Sequence, residues 1–295
     1  MVPPSPLDTG TDPTRSDGGR RPPRRRGRFG DLAGRLVLVV LLVAFVVGGV
    51  WVLGKVQRAP LEPAAPPFLV PLQNVQPGAA APVGAGEVPA SGEPQAAPAG
   101  RPTAADDPLN AWTERVSGNT DIPVRALRAY AVADLVMRAQ APSCRISWAT
   151  LAGIGRIESH HGEYGDAVLG DDGRTSPPII GIPLDGSPGL KAIGDTDGGT
   201  LDGDTTWDRA VGPMQFIPGT WVQYAMRANG DGSPPDPQNI DDAALTAARY
   251  LCSSDTDLAT GEGWWRAVLR YNESVEYGQN VYSGADAYAR ASVED

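Results

Sequence analysis

A carboxylate placed on the apolar face of a helix is the residue of this chain best suited to acid chemistry. Across residues 147–162, SWATLAGIGRIESHHG, Leu151, Ile154 and Glu158 recur at i, i+3 and i+7, so a helix would turn Glu158 toward the core. Ser147 suits the N-cap and Gly162 the C-terminal stop. Burial disfavours an ionised carboxyl, and the negative end of the helix dipole acts in the same direction. Glu158 is therefore expected to keep its proton near neutral pH and to donate it to a leaving-group oxygen, the step that glycosidic cleavage demands. A glutamate neutralised by a core arginine fits the same spacing.

The elements that would position this acid read as mainly α. Pro123 to Gln140 predicts a helix with Pro in its first turn and an apolar stripe of Val124, Leu127, Val132, Leu135 and Val136. Further helices are expected over Pro218 to Ala228, Asp241 to Cys252 with Asp241 as N-cap, Gly263 to Tyr271, and Ser274 to Arg290. The Asp241 helix carries Ala243, Ala247 and Ala248, small residues that let helices approach closely. Residues 163–210, dense in Gly, Asp and Pro, predict a long irregular and functional loop, with at most a short hairpin in PPIIGIPLDG.

Charge divides the 295 residues sharply. Residues 1–58 hold ten Lys or Arg against four Asp or Glu, a net of +6, so the remainder carries −16 of the chain's formal −10. Such a surface argues against nucleic acid as a partner. Residues 36–53, LVLVVLLVAFVVGGVWVL, form an apolar run long enough to span a bilayer. Seven arginines between Arg20 and Arg35 precede it and only Lys55 and Arg58 follow closely, which predicts a cytoplasmic N-terminus and an extracytoplasmic remainder, a single-pass type II arrangement in the cell membrane. The expected organisation is a disordered basic tail over 1–35, a transmembrane helix over 36–53, a Pro/Ala/Gly-rich extracytoplasmic linker over 54–105 acting as a tether, and one folded domain over 106–295. In that oxidising compartment, pairing of Cys144 with Cys252 is the economical reading, with two buried thiols as its alternative.

Six segments follow one another in an order that resembles the lytic murein transglycosylases: GIGRIESHHG, PPIIGIPLDG, DTDGGTLDGD, DRAVGPMQFIPGTW, NGDGSPPDPQNIDDAALTAARYLC and AVLRYNESVEYGQNVYSGADAYA. Within that family the chain is most similar to the membrane-bound lytic transglycosylase B type in its high-GC Gram-positive form, over about residues 121–290. The resemblance implies an SLT, lysozyme-like fold, mainly α with some β. It implies that Glu158 protonates the oxygen between N-acetylmuramic acid and N-acetylglucosamine. Glu158 then takes the proton of the muramoyl 6-hydroxyl, which closes on C1 as a 1,6-anhydro end. A second carboxylate is not required; Glu163 and Asp166 read as loop charges, and Glu273 lacks anything to orient it.

The resemblance further implies that Gln215, Tyr271 and Asn272 bind substrate, and that Ser159 stands beside the acid. Gln215 alone would read as a turn residue. Gly219 departs from the family, where Ser is frequent. Asn229 to Ser233 resembles a calcium loop of some members, but Arg227 stands where a first carboxylate would be useful. No cofactor is expected, with calcium left open. Asp195, Asp197, Asp202 and Asp204 suit either a cation or turn chemistry. The adjacent His160 and His161 would face different sides of a helix, which argues against zinc. The expected partners are peptidoglycan glycan strands, the membrane through the N-terminal anchor, and cell-wall synthesis or division proteins. Two rival readings remain: a hydrolytic muramidase, and a non-catalytic glycan-binding scaffold.

Overall fold

The computed structural model describes residues 74–83 and 107–294. The predicted tail and transmembrane segment lie outside the described residues, among which no helix is long and apolar enough to cross a membrane. The described chain is mainly helical with a few short strands.

Helix α1, Pro108–Gly118, has no counterpart among the expected helices, although Leu109, Trp112 and Val116 fall at i, i+3 and i+7 and are all buried. Asp107 caps it by accepting from the Leu109 amide. Helix α2, Val124–Gln140, matches its expected span. Helix α3, Trp148–Ser159, carries Glu158 in its last turn. Every residue from Trp148 to Gly155 is buried, so α3 is the central rod of the domain. Ser147 caps its start as expected, but the helix stops at His160, which takes the left-handed conformation, rather than at Gly162.

Residues between α3 and the next helix are less irregular than predicted. Strand β1, Val168–Leu169, pairs antiparallel with β2, Thr175–Ser176. Strand β3, Ile180–Pro183, pairs antiparallel with β4, Arg209–Val211, with a register shift between Ile180 and Pro183. Helix α4, Pro218–Tyr224, ends earlier than expected because Ala225 turns extended. Helix α5, Ile240–Cys252, is capped by Asn239 instead of Asp241. The Asn239 side chain accepts from the Asp241 and Asp242 amides, and Asp241 forms an ion pair with Arg125. Helices α6, Gly261–Tyr271, and α7, Val275–Ala291, close the chain.

Two interactions fix α3. Asp134 of α2, wholly buried, is held by Arg138 through both oxygens and accepts from the Trp148 amide at 3.0 Å, which ties the start of α3 to α2. Gly153 meets α7 so closely that a Cβ there would lie 2.7 Å from the Val281 carbonyl. A side chain at 153 would push the two helices apart.

Cys144 and Cys252 form a disulfide joining the approach to α3 with the end of α5, 108 residues away. Replacing both cysteines by Ala should lower unfolding stability by about 2–5 kcal/mol, read from the denaturant midpoint. A change below about 1 kcal/mol would mean that the bridge constrains little.

Part of the predicted tether belongs to the folded unit. Val75 and Ala81 are buried in the same core cluster as α1, α3 and α7. Composition concealed this because an extended Pro/Ala/Gly chain seats by backbone hydrogen bonds more than by side-chain burial.

Candidate active site

Glu158 lies one residue before the end of α3, and its side chain is half-buried. Desolvation pushes its carboxyl up from 4.5 to about 7, opposed by a hydrogen bond from Tyr277. That bond is short, 2.5 Å from Tyr277 Oη to Glu158 Oε1. Tyr277 stands in the first turn of α7, after the Ser274 cap, and is itself buried. Among the described residues no arginine neutralises the acid in the way the alternative reading of its spacing required; burial dominates.

Sequence reasoning missed Tyr277. The two partners are 119 residues apart, and only the packing of α7 on α3 brings them together. The phenol stabilises the carboxylate, so Tyr277→Phe should raise the Glu158 pKa further and move the alkaline limb of any Glu158-dependent activity to higher pH. A rate loss of roughly tenfold is expected from the loosened carboxyl. A pH–rate profile checks both, and a limb moving downward would contradict the role given to the phenol.

Gln215 and Tyr271 are brought together. Both line a small cavity open to solvent, with a volume of about 40 Å³, together with Phe216, Ile217, Thr220 and Tyr250. Gln215 takes a positive φ of 47° and donates through Nε2 to the Gly212 carbonyl at 2.9 Å, while Oε1 lies toward Gly181 of β3. It is thus a turn residue at the cavity wall whose amide nitrogen is held by the turn and whose amide oxygen lies against β3. Tyr271 donates to the Met214 carbonyl at 2.7 Å, which locks its ring beside that turn. Burial, and after it the charge of Glu158, hold the Tyr271 phenol far above its usual range. Phe216 and Tyr250 flank Tyr271 edge-on, and Arg270 lies over the Tyr250 ring.

The other expected residues are placed differently. Ser159 is buried, donating to the Pro213 carbonyl at 2.6 Å and accepting from the Gly162 amide, so its hydroxyl braces the α3 end and does not face the cavity. Asn272 is exposed at the end of α6 and accepts from the Ser274 amide. Glu163 and Asp166 are exposed, and Glu273 pairs with Lys191 at the surface. His160 is exposed, whereas His161 is buried between the hydroxyls of Tyr130, 3.1 Å from Nδ1, and Tyr288, 3.0 Å from Nε2. Burial lowers the His161 pKa to about 4 and keeps the ring neutral.

Neither acidic segment is bare. Asp195 and Asp197 approach Asp208, but each carboxylate accepts from nearby backbone amides, Asp195 from residues 197, 198 and 199. Asp202 and Asp204 do the same and hold Arg209. In the 227–242 region the Arg227 guanidinium binds Asp231 and the buried Asp242. Gly219 packs against Thr196, whose Oγ1 would lie 3.0 Å from an added Cβ.

Residues 190–279 match the family model described as Transglycosylase SLT domain, a span that holds Gln215, Tyr271, Asn272 and Tyr277 but not Glu158. No curated protein matches the chain. Solved structures with similarity include the lytic transglycosylase SLT35 of Escherichia coli in complex with bulgecin A, 14% identical over 62% of this chain and 79% of that one, with a TM-score of 0.33. The same enzyme in complex with calcium is 15% identical over 62% and 80%, with a TM-score of 0.34. SltB3 of Pseudomonas aeruginosa, in complex with NAG-anhNAM-pentapeptide, is 18% identical over 60% and 66%, with a TM-score of 0.34.

Proposed function

We propose that this protein is a peptidoglycan lytic transglycosylase that cleaves the β-1,4 bond between N-acetylmuramic acid and N-acetylglucosamine and leaves a 1,6-anhydro end. The observation that carries the reading is Glu158, a carboxyl raised to about 7 and held by Tyr277, and the charge of that carboxyl is felt by the Tyr271 phenol at the wall of the aromatic cavity. Protonated, Glu158 gives its proton to the bridging oxygen; as a carboxylate, it then takes the proton of the muramoyl 6-hydroxyl while that oxygen closes on C1. Glu273, the carboxylate nearest in sequence to Tyr271, is exposed and engaged with Lys191, which favours one group acting as acid and then base over a pair of carboxylates. Gln215 and the rings around it would receive the sugar and its acetamido group.

The apolar run at 36–53 and its arginine flank support a type II anchor in the cell membrane, with the acid outside and wall synthesis or division proteins as neighbours. The 227–242 segment needs no calcium in this reading, since Arg227 supplies the positive charge that Asp231 and Asp242 share.

Mass spectrometry of sugars released from purified peptidoglycan tests the proposal. Anhydro-muropeptides from the wild type and none from Glu158→Gln are expected. Reducing ends would make the protein a hydrolytic muramidase, and binding of the polymer without release would make it a scaffold.

A further inference from the structure

Residues 74–83 lie across the start of α3, the end of that helix opposite the acid. Asn74 Oδ1 accepts from the Gly261 amide at the start of α6. Val75 and Ala81 are buried on either side of Gly78. Gly78 takes a φ of +74°, and a Cβ there would lie 2.9 Å from Ser292 Oγ, 3.0 Å from Trp148 Cζ2 and 3.1 Å from Ala289 Cα, so the backbone lies directly on its neighbours. Ala79 then makes two bonds with different helices. Its amide donates to Ser292 Oγ at 2.8 Å, at the C-cap of α7, and its carbonyl accepts from Trp148 Nε1 at 3.0 Å, on the first residue of α3.

The same two helices are joined at their other end by the bond from Tyr277 to Glu158. Between these ends Gly153 touches Val281 and Ala285. Helix α3 has 12 residues, and Gly153 divides it into two nearly equal arms, each about 7.5 Å long. Helices are stiff, so a rock of α3 on α7 about that contact moves both ends by comparable amounts. A shift of about 1 Å is enough to break a short hydrogen bond and to cost a large part of a rate. Asp134 holds the start of α3 to α2, and Ala79 adds to the packing of α3 on α7 a hydrogen-bonded tie from that start to the C-cap of α7.

We propose that residues 74–83 are a positioning strap for the acid: seated, they fix α3 against α7 at one end of the pair and thereby keep Glu158 on Tyr277 at the other. This rests on Glu158 being the acid of the proposed reaction. The strap touches no substrate; it acts through the helix pair.

The test uses the full chain in mild detergent, with Gly78→Val to unseat the strap and Ser292→Ala to remove the acceptor of the Ala79 amide. The Glu158 carboxyl is titrated by carbon-13 NMR, assigned with Glu158→Gln, and turnover on glycan strands is measured beside thermal melting. The expected result is a Glu158 pKa moved further up from about 7, the direction expected of Tyr277→Phe, because unseating the strap takes the phenol off the carboxylate. With it, kcat falls about tenfold or more, KM changes less than about twofold, and a peptide of residues 74–83 added in trans restores part of the loss in Gly78→Val but not in Ser292→Ala. A lower melting temperature with unchanged titration and kcat in both variants would overturn the proposal and leave a strap that only stabilises. If Gly78→Val does not fold, Ser292→Ala alone decides between these outcomes. Should the wild type release no sugar while the titration still follows the strap, the cleavage reading falls and the positioning inference stands.

Discussion

Glu158→Gln is expected to lower glycan cleavage by about 10³-fold or more, because the same group serves as acid and as base. The variant should also be the more stable protein at alkaline pH. The folded carboxyl titrates at about 7 against an ordinary 4.5, so between these values the folded state binds more protons than the unfolded one. Stability contributed by the protonated group is present below pH 4.5, is lost as pH rises through about 7, and does not return above it. The difference between the two ends amounts to about 3 kcal/mol. Gln keeps an oxygen for Tyr277 and no charge, so its advantage should be near zero at about pH 4 and approach that figure at about pH 8, measured by denaturant unfolding at both. In the wild type the cleavage rate should fall about tenfold per unit above about pH 7. A rate limb near that of an ordinary glutamate, or a variant no more stable than the wild type under alkaline conditions, would show that the carboxyl is not desolvated.

Gly212→Ala should be among the most damaging substitutions in the turn before Gln215. Gly212 has a φ of +77°, and a Cβ would stand 1.8 Å from the Pro237 carbonyl oxygen and 2.7 Å from its carbon. These are backbone atoms and cannot swing aside. Moving them pulls on Gln238, whose carbonyl accepts from the Thr175 amide and whose side chain bonds both the amide and the carbonyl of Ile179. The Gly212 carbonyl also receives the Gln215 amide and side chain, so the cavity wall shifts with it. Overpacking and left-handed strain together predict a loss of about 3–4 kcal/mol and roughly tenfold or more lower turnover. Gly230→Ala is the control: its φ is +62°, but nothing lies within 4 Å of an added Cβ, so strain alone should cost about 1 kcal/mol. Equal losses at the two positions would mean that the 237 segment yields easily.

What could be read in the sequence was what local spacing encodes. Leu151, Ile154 and Glu158 announce the face of α3, and the small residues of α5 announce close packing. Long-range partners left no such mark. Tyr277 follows a helix cap like many tyrosines, and its role depends on where α7 lies against α3. Adjacency to the acid suggests Ser159 at the substrate, yet one residue along a helix is a turn of about 100°, and its hydroxyl points to Pro213. Asp241 resembles a cap because it opens the apolar pattern, while Asn239, two residues earlier, has the extended backbone a cap needs. The segment at 74–83 has the composition of a linker, and its role is carried by backbone groups that composition does not report.

The close enclosure of α3 also restricts how this protein can change by insertion or deletion. One residue added or lost between Trp148 and Gly155 would swing everything beyond it by about a quarter turn. The acid would leave Tyr277, and side chains buried from Trp148 to Gly155 would have to find new neighbours. The register of that helix is therefore locked twice, by packing at its start and by chemistry at its end. Changes of length in lineages descending from this sequence must fall in the surface segments around α3.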